Sequence, residues 1–237
     1  MSPWLAMAIP AFVASIGGLL AIVWNPSHHA RSLIQHFAAG VVLAALAVEV
    51  LPEIGREHAP GWVLIGAFSI GGILMYIMKL WSIRLEEKSE HLGENAFNYG
   101  LIAATFIDVA VDGFIIGAGF AAGGSTGLIL ALGLSVELLF LGLSLVSDTI
   151  KGWRVIVMTL LLAGVVLSCT LLGNYLLSGA STSVISAILA FGVAALLYLV
   201  TDELLVEAHT IEEKPSSTLW LFAGFLVFWS IQLFSGV

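Results

Sequence analysis

Residues 96–122 read AFNYGLIAATFIDVAVDGFIIGAGFAA, and the stretch has two charged residues, Asp108 and Asp112, both near its middle. A helix rises about 1.5 Å per residue and a bilayer's hydrocarbon core is about 30 Å thick, so an apolar run of this length predicts a membrane-spanning helix. A spacing of four places both carboxylates on one face, about one turn apart. At the centre of a span an ionised carboxylate costs about 2.5–3.5 kcal/mol on insertion scales, which makes a bare pair a functional feature. One helical turn offering two carboxylates presents oxygen ligands to a cation.

The rest of the chain agrees with a membrane setting. It is 59% hydrophobic and 10% charged, with a mean hydropathy of +1.06. A soluble domain of 237 residues has no core large enough to hide that much apolar surface. The apolar runs are too long for the short strands of an outer-membrane barrel. Cys169 is the one cysteine, which excludes a disulfide framework or a thiolate metal cluster. The first apolar stretch starts at Pro3 without a basic segment before it or a small-residue cleavage site after it, and is expected to be a retained span. Net charge is −8 with no basic patch, so nucleic acid is not an expected partner.

Eight spans are predicted, at residues 3–24, 32–51, 61–81, 96–122, 126–146, 153–177, 183–203 and 218–234, in a single transmembrane domain covering 1–237. Turn chemistry separates them at Asn25-Pro26, Pro60-Gly61, Gly123-Gly124, Ser178-Gly179 and Pro215-Ser216. A charged loop at about 82–95 is the longest connection. Trp4, Trp24, Trp62, Trp81, Trp153 and Trp220 lie near span ends, where amphipathic rings favour the interface. With both termini outside, Arg31, Lys79, Arg84, Lys88, Lys151, Arg154 and Lys214 fall on the cytoplasmic side and only Arg56 outside, as the positive-inside rule requires. Span 2 ends in VEVLPEIGREH (residues 48–58) and span 7 in DELLVEAH (residues 202–209). Pairing Glu53 with Glu207 also pairs Glu49 with Glu203 and Leu51 with Leu205. Spans 1–3 and 6–8 would then form an inverted repeat around spans 4 and 5, a 3+2+3 arrangement. The blander reading is two helix ends, each carrying interfacial glutamates.

Few other polar residues lie at depth. Glu137 sits in the middle of span 5, while Glu49, Glu203, His36 and His209 lie nearer span ends. Only three residues, Gly123–Ser125, join spans 4 and 5, which predicts antiparallel neighbours with Glu137 facing the aspartates. No lysine or arginine lies mid-span to neutralise these carboxylates, which leaves protonation or a bound cation. Gly113, Gly117, Gly119 and Gly123 give span 4 small-residue steps that suit close helix packing. The nucleophile motifs, phosphate loops and Cys/His zinc spacings of enzymes are absent, so no enzyme activity is expected. His36 and His209 are too few for a membrane zinc hydrolase, and each taken alone is better explained as a core or interfacial histidine.

The eight-span layout, HFAAGVVLAALAVEVLPE in span 2 (residues 36–53), the Asp112-Gly113 step and TDELLVEA in span 7 together resemble the ZIP (Zrt-, Irt-like) divalent-metal transporters. The resemblance implies a metal centre halfway across the membrane, often binuclear in that family. Asp112 and Gly113 match the family's acidic-Gly pair, and Asp108 falls where its first histidine stands. Glu137 falls where the span 5 motif begins, and Gly142 matches its closing glycine. Glu203 is similar to the acidic ligand from span 7, and Glu49 and Glu53 resemble the polar end of span 2. Val109, Val111, Phe140 and Leu141 depart from the pattern, replacing its asparagine, two prolines and bridging glutamate. A second ion would lose most of its ligands, so one divalent ion per chain is expected as the transported substrate.

The expected function is therefore transport of a divalent cation (Mn, Fe, Zn or similar) across a bacterial or archaeal cytoplasmic membrane. Asp108, Asp112, Glu137 and Glu203 are the expected ligands, with Glu49, Glu53, Glu207, His36 and His209 as secondary candidates. Oxygen-only coordination favours harder ions such as Mn²⁺, Fe²⁺, Mg²⁺ or Ca²⁺. The family resemblance also suggests a homodimer. Two other functions fit the same residues: a proton-coupled carrier of another solute, or a non-transporting scaffold or sensor of the same fold.

Overall fold

Inside a bilayer every backbone N–H and C=O must find its partner within the protein, and a helix achieves this within one segment. The computed structural model of the chain, which describes residues 2–24, 27–56, 59–90, 99–144, 152–206 and 217–235, is all-α among those residues. Among the described residues, eight helices are long and apolar enough to cross a membrane, the mark of an integral membrane protein. They are α1 (Pro3–Val23), α2 (starting as His28–Ala45), α3 (Gly61–Glu90), α4 (Tyr99–Ala122), α5 (Gly124–Ser144), α6 (Trp153–Leu177), α7 (starting as Thr182–Tyr198) and α8 (Ser217–Ser235).

The expected boundaries shift in places. Helix α2 runs on through Leu46–Val50 and Leu51–Arg56, well past residue 51. Pro52 permits this because it sits one residue into the last segment, next to a wider turn. Helix α3 also outruns its predicted span and takes in residues 82–90, the first part of the supposed charged loop. Leu, Glu, Lys and Arg are good helix formers, and no glycine interrupts them before Gly93.

Two spans depart from α geometry at matching places. In α2 the segment Leu46–Val50 is π-helical, and the Leu51 N–H closes back on the Leu46 carbonyl, five residues away. In α7 the segment Leu199–Leu204 is π-helical, and Leu205 N–H closes on Val200 O in the same way. Leu51 and Leu205 are the residues that the Glu53/Glu207 alignment pairs. A π segment turns side chains away from the α register and is common at functional positions.

Helices α1, α4, α5 and α6 form a closed four-helix unit in which α1 packs on α5 and α6, and α4 packs on α5 and α6. Two further pairs flank it, α2 with α8 and α3 with α7. Helix α2 also touches α5, α7 touches α4, and α2 and α7 meet through their π segments. Glycines make the close approaches. A side chain at Gly142 would run into α1, 2.8 Å from the Gly18 nitrogen and 2.9 Å from the Ala14 oxygen. One at Gly113 would lie 2.6 Å from the Val166 oxygen of α6. Gly113, Gly117, Gly119 and Gly142 are thus packing residues, whereas Gly123 has no neighbour nearer than 4.0 Å. Outward faces carry the exposed apolar side chains, among them Ile65, Ile73, Leu160 and Phe222, as lipid contact requires, and all six interface tryptophans named above are exposed.

Candidate metal centre

Asp108 and Asp112 point from one face of α4, and Glu137 comes from the middle of α5. Gly123 alone separates these helices, and Gly119 packs against Gly127, so the two fold back as a tight hairpin. That hairpin brings the three carboxylates together: one oxygen from each lies within 4.8 Å of the others. All three residues are buried, with relative exposures of 8% for Asp108, 2% for Asp112 and 6% for Glu137. Depth follows from the helix rise: Asp112 stands about 20 Å along α4 from Tyr99 and about 15 Å from Ala122.

The cluster is electrostatically unfinished. Asp112 Oδ2 and Glu137 Oε2 are buried without a hydrogen-bond partner. Buried polar atoms are nearly always satisfied, and each one left bare costs about 1–3 kcal/mol or more when charged. Three oxygens no more than 4.8 Å apart would hold a central ion at about 2.8 Å or less from each, a cage that closes to ordinary Ca–O or Zn–O lengths by small side-chain movements. For a divalent ion at that centre, each attraction is roughly 3.5 times each carboxylate–carboxylate repulsion, whatever the dielectric constant.

A cavity of about 380 Å³ reaches the cluster from one end of the bundle, the end where α3 and α7 finish and α4 begins. Its wall includes Lys79, Thr105, Asp108, Leu141, Asp202 and Glu203. Asp108 is thus both a cluster member and a cavity residue. Glu203, exposed and borne on the π segment of α7, lies on the cavity wall and outside the three-carboxylate group. Lys79 Nζ pairs with Asp202 Oδ2 at 3.0 Å across α3 and α7.

The described secondary candidates lie elsewhere. Glu49 is buried on the π segment of α2, and its Oε1 accepts a 2.9 Å hydrogen bond from Thr126 Oγ1 at the start of α5. Glu53 pairs with Arg56 at 3.1 Å near the end of α2. His36 is buried in α2 with Nδ1 donating to the Ser32 carbonyl at 2.8 Å. Glu207 and His209 lie outside the described residues. Sequence reasoning passed over Lys79, Asp202, Thr105 and Thr126. A lysine and an aspartate close to span ends, a threonine at the very start of a span and another within the first half of one were the available signals. No family model matches the chain, and no curated protein matches it.

Proposed function

We propose that this chain is a divalent-cation transporter of the ZIP type, with a single ion held by Asp108, Asp112 and Glu137. The observation that supports this most strongly is the buried group of three carboxylates with two orphaned oxygens, midway along helices fit to span a membrane. Glu203 takes the ion next, on the cavity that leads from Asp108 to one end of the bundle. On the orientation implied by the basic residues, that end faces the cytoplasm. Leu141, on the cavity wall beside the cluster, offers no ligand oxygen where a second ion would need one, which supports one ion per chain. An inverted repeat suits alternating access, and most of the packing supports one: exchanging α1 with α6, α2 with α7, α3 with α8 and α4 with α5 turns the helix contacts into one another, except that α3 packs on α4 without a comparable contact of α8 on α5.

Purified chain reconstituted in sealed vesicles tests this reading. Wild type should take up Mn²⁺ or Zn²⁺ saturably, and Glu137→Gln should not. Uptake that is equal in both would sink it. A proton flux without any divalent dependence would favour the proton-coupled carrier instead.

A further inference from the structure

We propose that Glu49 and Thr126 form the latch that closes the pathway on the side opposite the cavity. The inference rests on the transport reading above and adds to it a pair of residues that controls access. Four observations converge on it.

The first is the bond itself. It joins the π segment of α2 to the first turn of α5, is buried, and links residues far apart in sequence. The second is the stripe it heads. Thr126, Leu130, Leu134, Glu137 and Leu141 follow one another at steps of four and three, which keeps them on one face of α5. Leu130 and Leu134 are 0% and 2% exposed, so this face is sealed between the latch and the cluster. Beyond Glu137 the same face opens, because Leu141 lines the cavity.

The third observation is the counterpart at the other end. Glu203 stands on the π segment of α7 as Glu49 stands on that of α2. Thr105 stands in the first half of α4, one turn before Asp108, and lines the cavity together with Glu203. Each end therefore brings a π-borne glutamate to a threonine of the central hairpin. At one end the pair heads a sealed face; at the other the pair lines the cavity. The fourth is the packing, in which α2 on α5 and α7 on α4 are equivalent contacts. Separation of α2 from α5 at this end would open a second vestibule down to the cluster, and the Glu49–Thr126 bond must break for that to happen.

A thiol reporter reads this without any metal. Leu130→Cys on a Cys169→Ala background places a thiol one turn inward of Thr126. An impermeant reagent applied from the Glu49 side should label it slowly when Thr126 is present. Thr126→Val should raise the rate about fivefold, the population change expected from losing one buried hydrogen bond, and Thr126→Ser should restore it. A Ser82→Cys reporter in the cavity wall, labelled from the other side, should not speed up in Thr126→Val; faster labelling at both ends would mean general loosening and would overturn the latch. Unchanged labelling of Leu130→Cys would overturn it as well. Should Thr126→Val fail to fold, Glu49→Ala gives the same readout from the other partner. A chain that binds no cation yet shows the one-sided increase keeps the latch and loses the transport reading, so the two stand or fall separately.

Discussion

Asp112→Asn separates a cation site from a structural carboxylate cluster. The substitution keeps the shape of the side chain and removes its charge from a residue only 2% exposed, one of whose oxygens lacks any hydrogen-bond partner. Without metal, wild type bears the cost of that unsatisfied group, about 1–3 kcal/mol, and the amide bears less or none of it. The variant should therefore be at least as stable as wild type in chelator. With metal the order reverses. A ligand that binds only the native state adds about 2.7 kcal/mol at a free concentration 100 times its dissociation constant. For a chain of this length that is on the order of 5–10 °C in melting temperature. Asp112→Asn, short of one anionic ligand of three, should show nearly none of it. The assay is a thermal-unfolding series in detergent on both proteins, with EDTA and with graded Mn²⁺ and Zn²⁺. Equal metal stabilisation of the two would refute the assignment of Asp112 as a ligand. A variant markedly less stable than wild type in EDTA would mean instead that the carboxylates are structural.

Metal analysis of purified protein should find at most one tightly bound divalent ion per chain, since Leu141 and Val109 bring no ligand atoms; two ions of comparable affinity would refute the ligand set. Glu203→Gln should slow release or weaken binding far less than Glu137→Gln, as Glu203 lies on the cavity wall beyond the three-carboxylate group; comparable losses in a titration would place Glu203 in the primary shell. Gly117→Leu should destabilise by about 1–3 kcal/mol or more, because a side chain there would start 2.7 Å from the Asn174 nitrogen and 3.0 Å from the Gly173 Cα, whereas Gly164→Ala, with nothing within 4 Å, should be neutral or slightly stabilising in the same melt. Cysteines at Ser89 and Ser178 on a Cys169→Ala background should react with an impermeant thiol reagent from opposite sides of intact cells; reaction from one side for both would overturn the eight-span orientation.

Much of the architecture was legible because lipid removes choices. Apolar runs of about 20 residues must be helices there, and the turn residues between them left little freedom in the count. The aspartate pair and Glu137 were legible for the related reason that charge at depth is costly, so three carboxylates with no lysine or arginine beside them stood out as a candidate site. Helix ends were less legible. Helix α3 overran its apolar segment into LEEKSE because helix propensity does not stop where hydropathy does. The π segments were invisible, since nothing in LAVEV or LVTDEL differs from an ordinary helical run; only the faint pairing of Leu51 with Leu205 hinted at a shared geometry. Partnerships across helices were least legible of all. Thr126 looked like the start of a span, Lys79 like a topology marker, and their contacts with Glu49 and Asp202 depend on a packing that no local pattern encodes.

The arrangement of charge along the molecule carries a mechanistic consequence of its own. Three carboxylates at the centre, if ionised together, would repel one another by about 3.5 kcal/mol per pair at 4.8 Å and an effective dielectric constant of 20. No such repulsion is relieved by the cavity-wall lysine, because Lys79 Nζ is committed to Asp202 at 3.0 Å. On the transport reading proposed above, that commitment would have a use. Asp202 and Glu203 both border the path from the cluster, and two free carboxylates there could trap an ion leaving it. With Asp202 paired to an ammonium on its own wall, the path would present one anionic stopping point, enough to draw an ion off the cluster and too few ligands to hold it. On that reading, a gradient of ligand number, from three oxygens at the cluster to one beyond it, would let the same site bind tightly when closed and release when open.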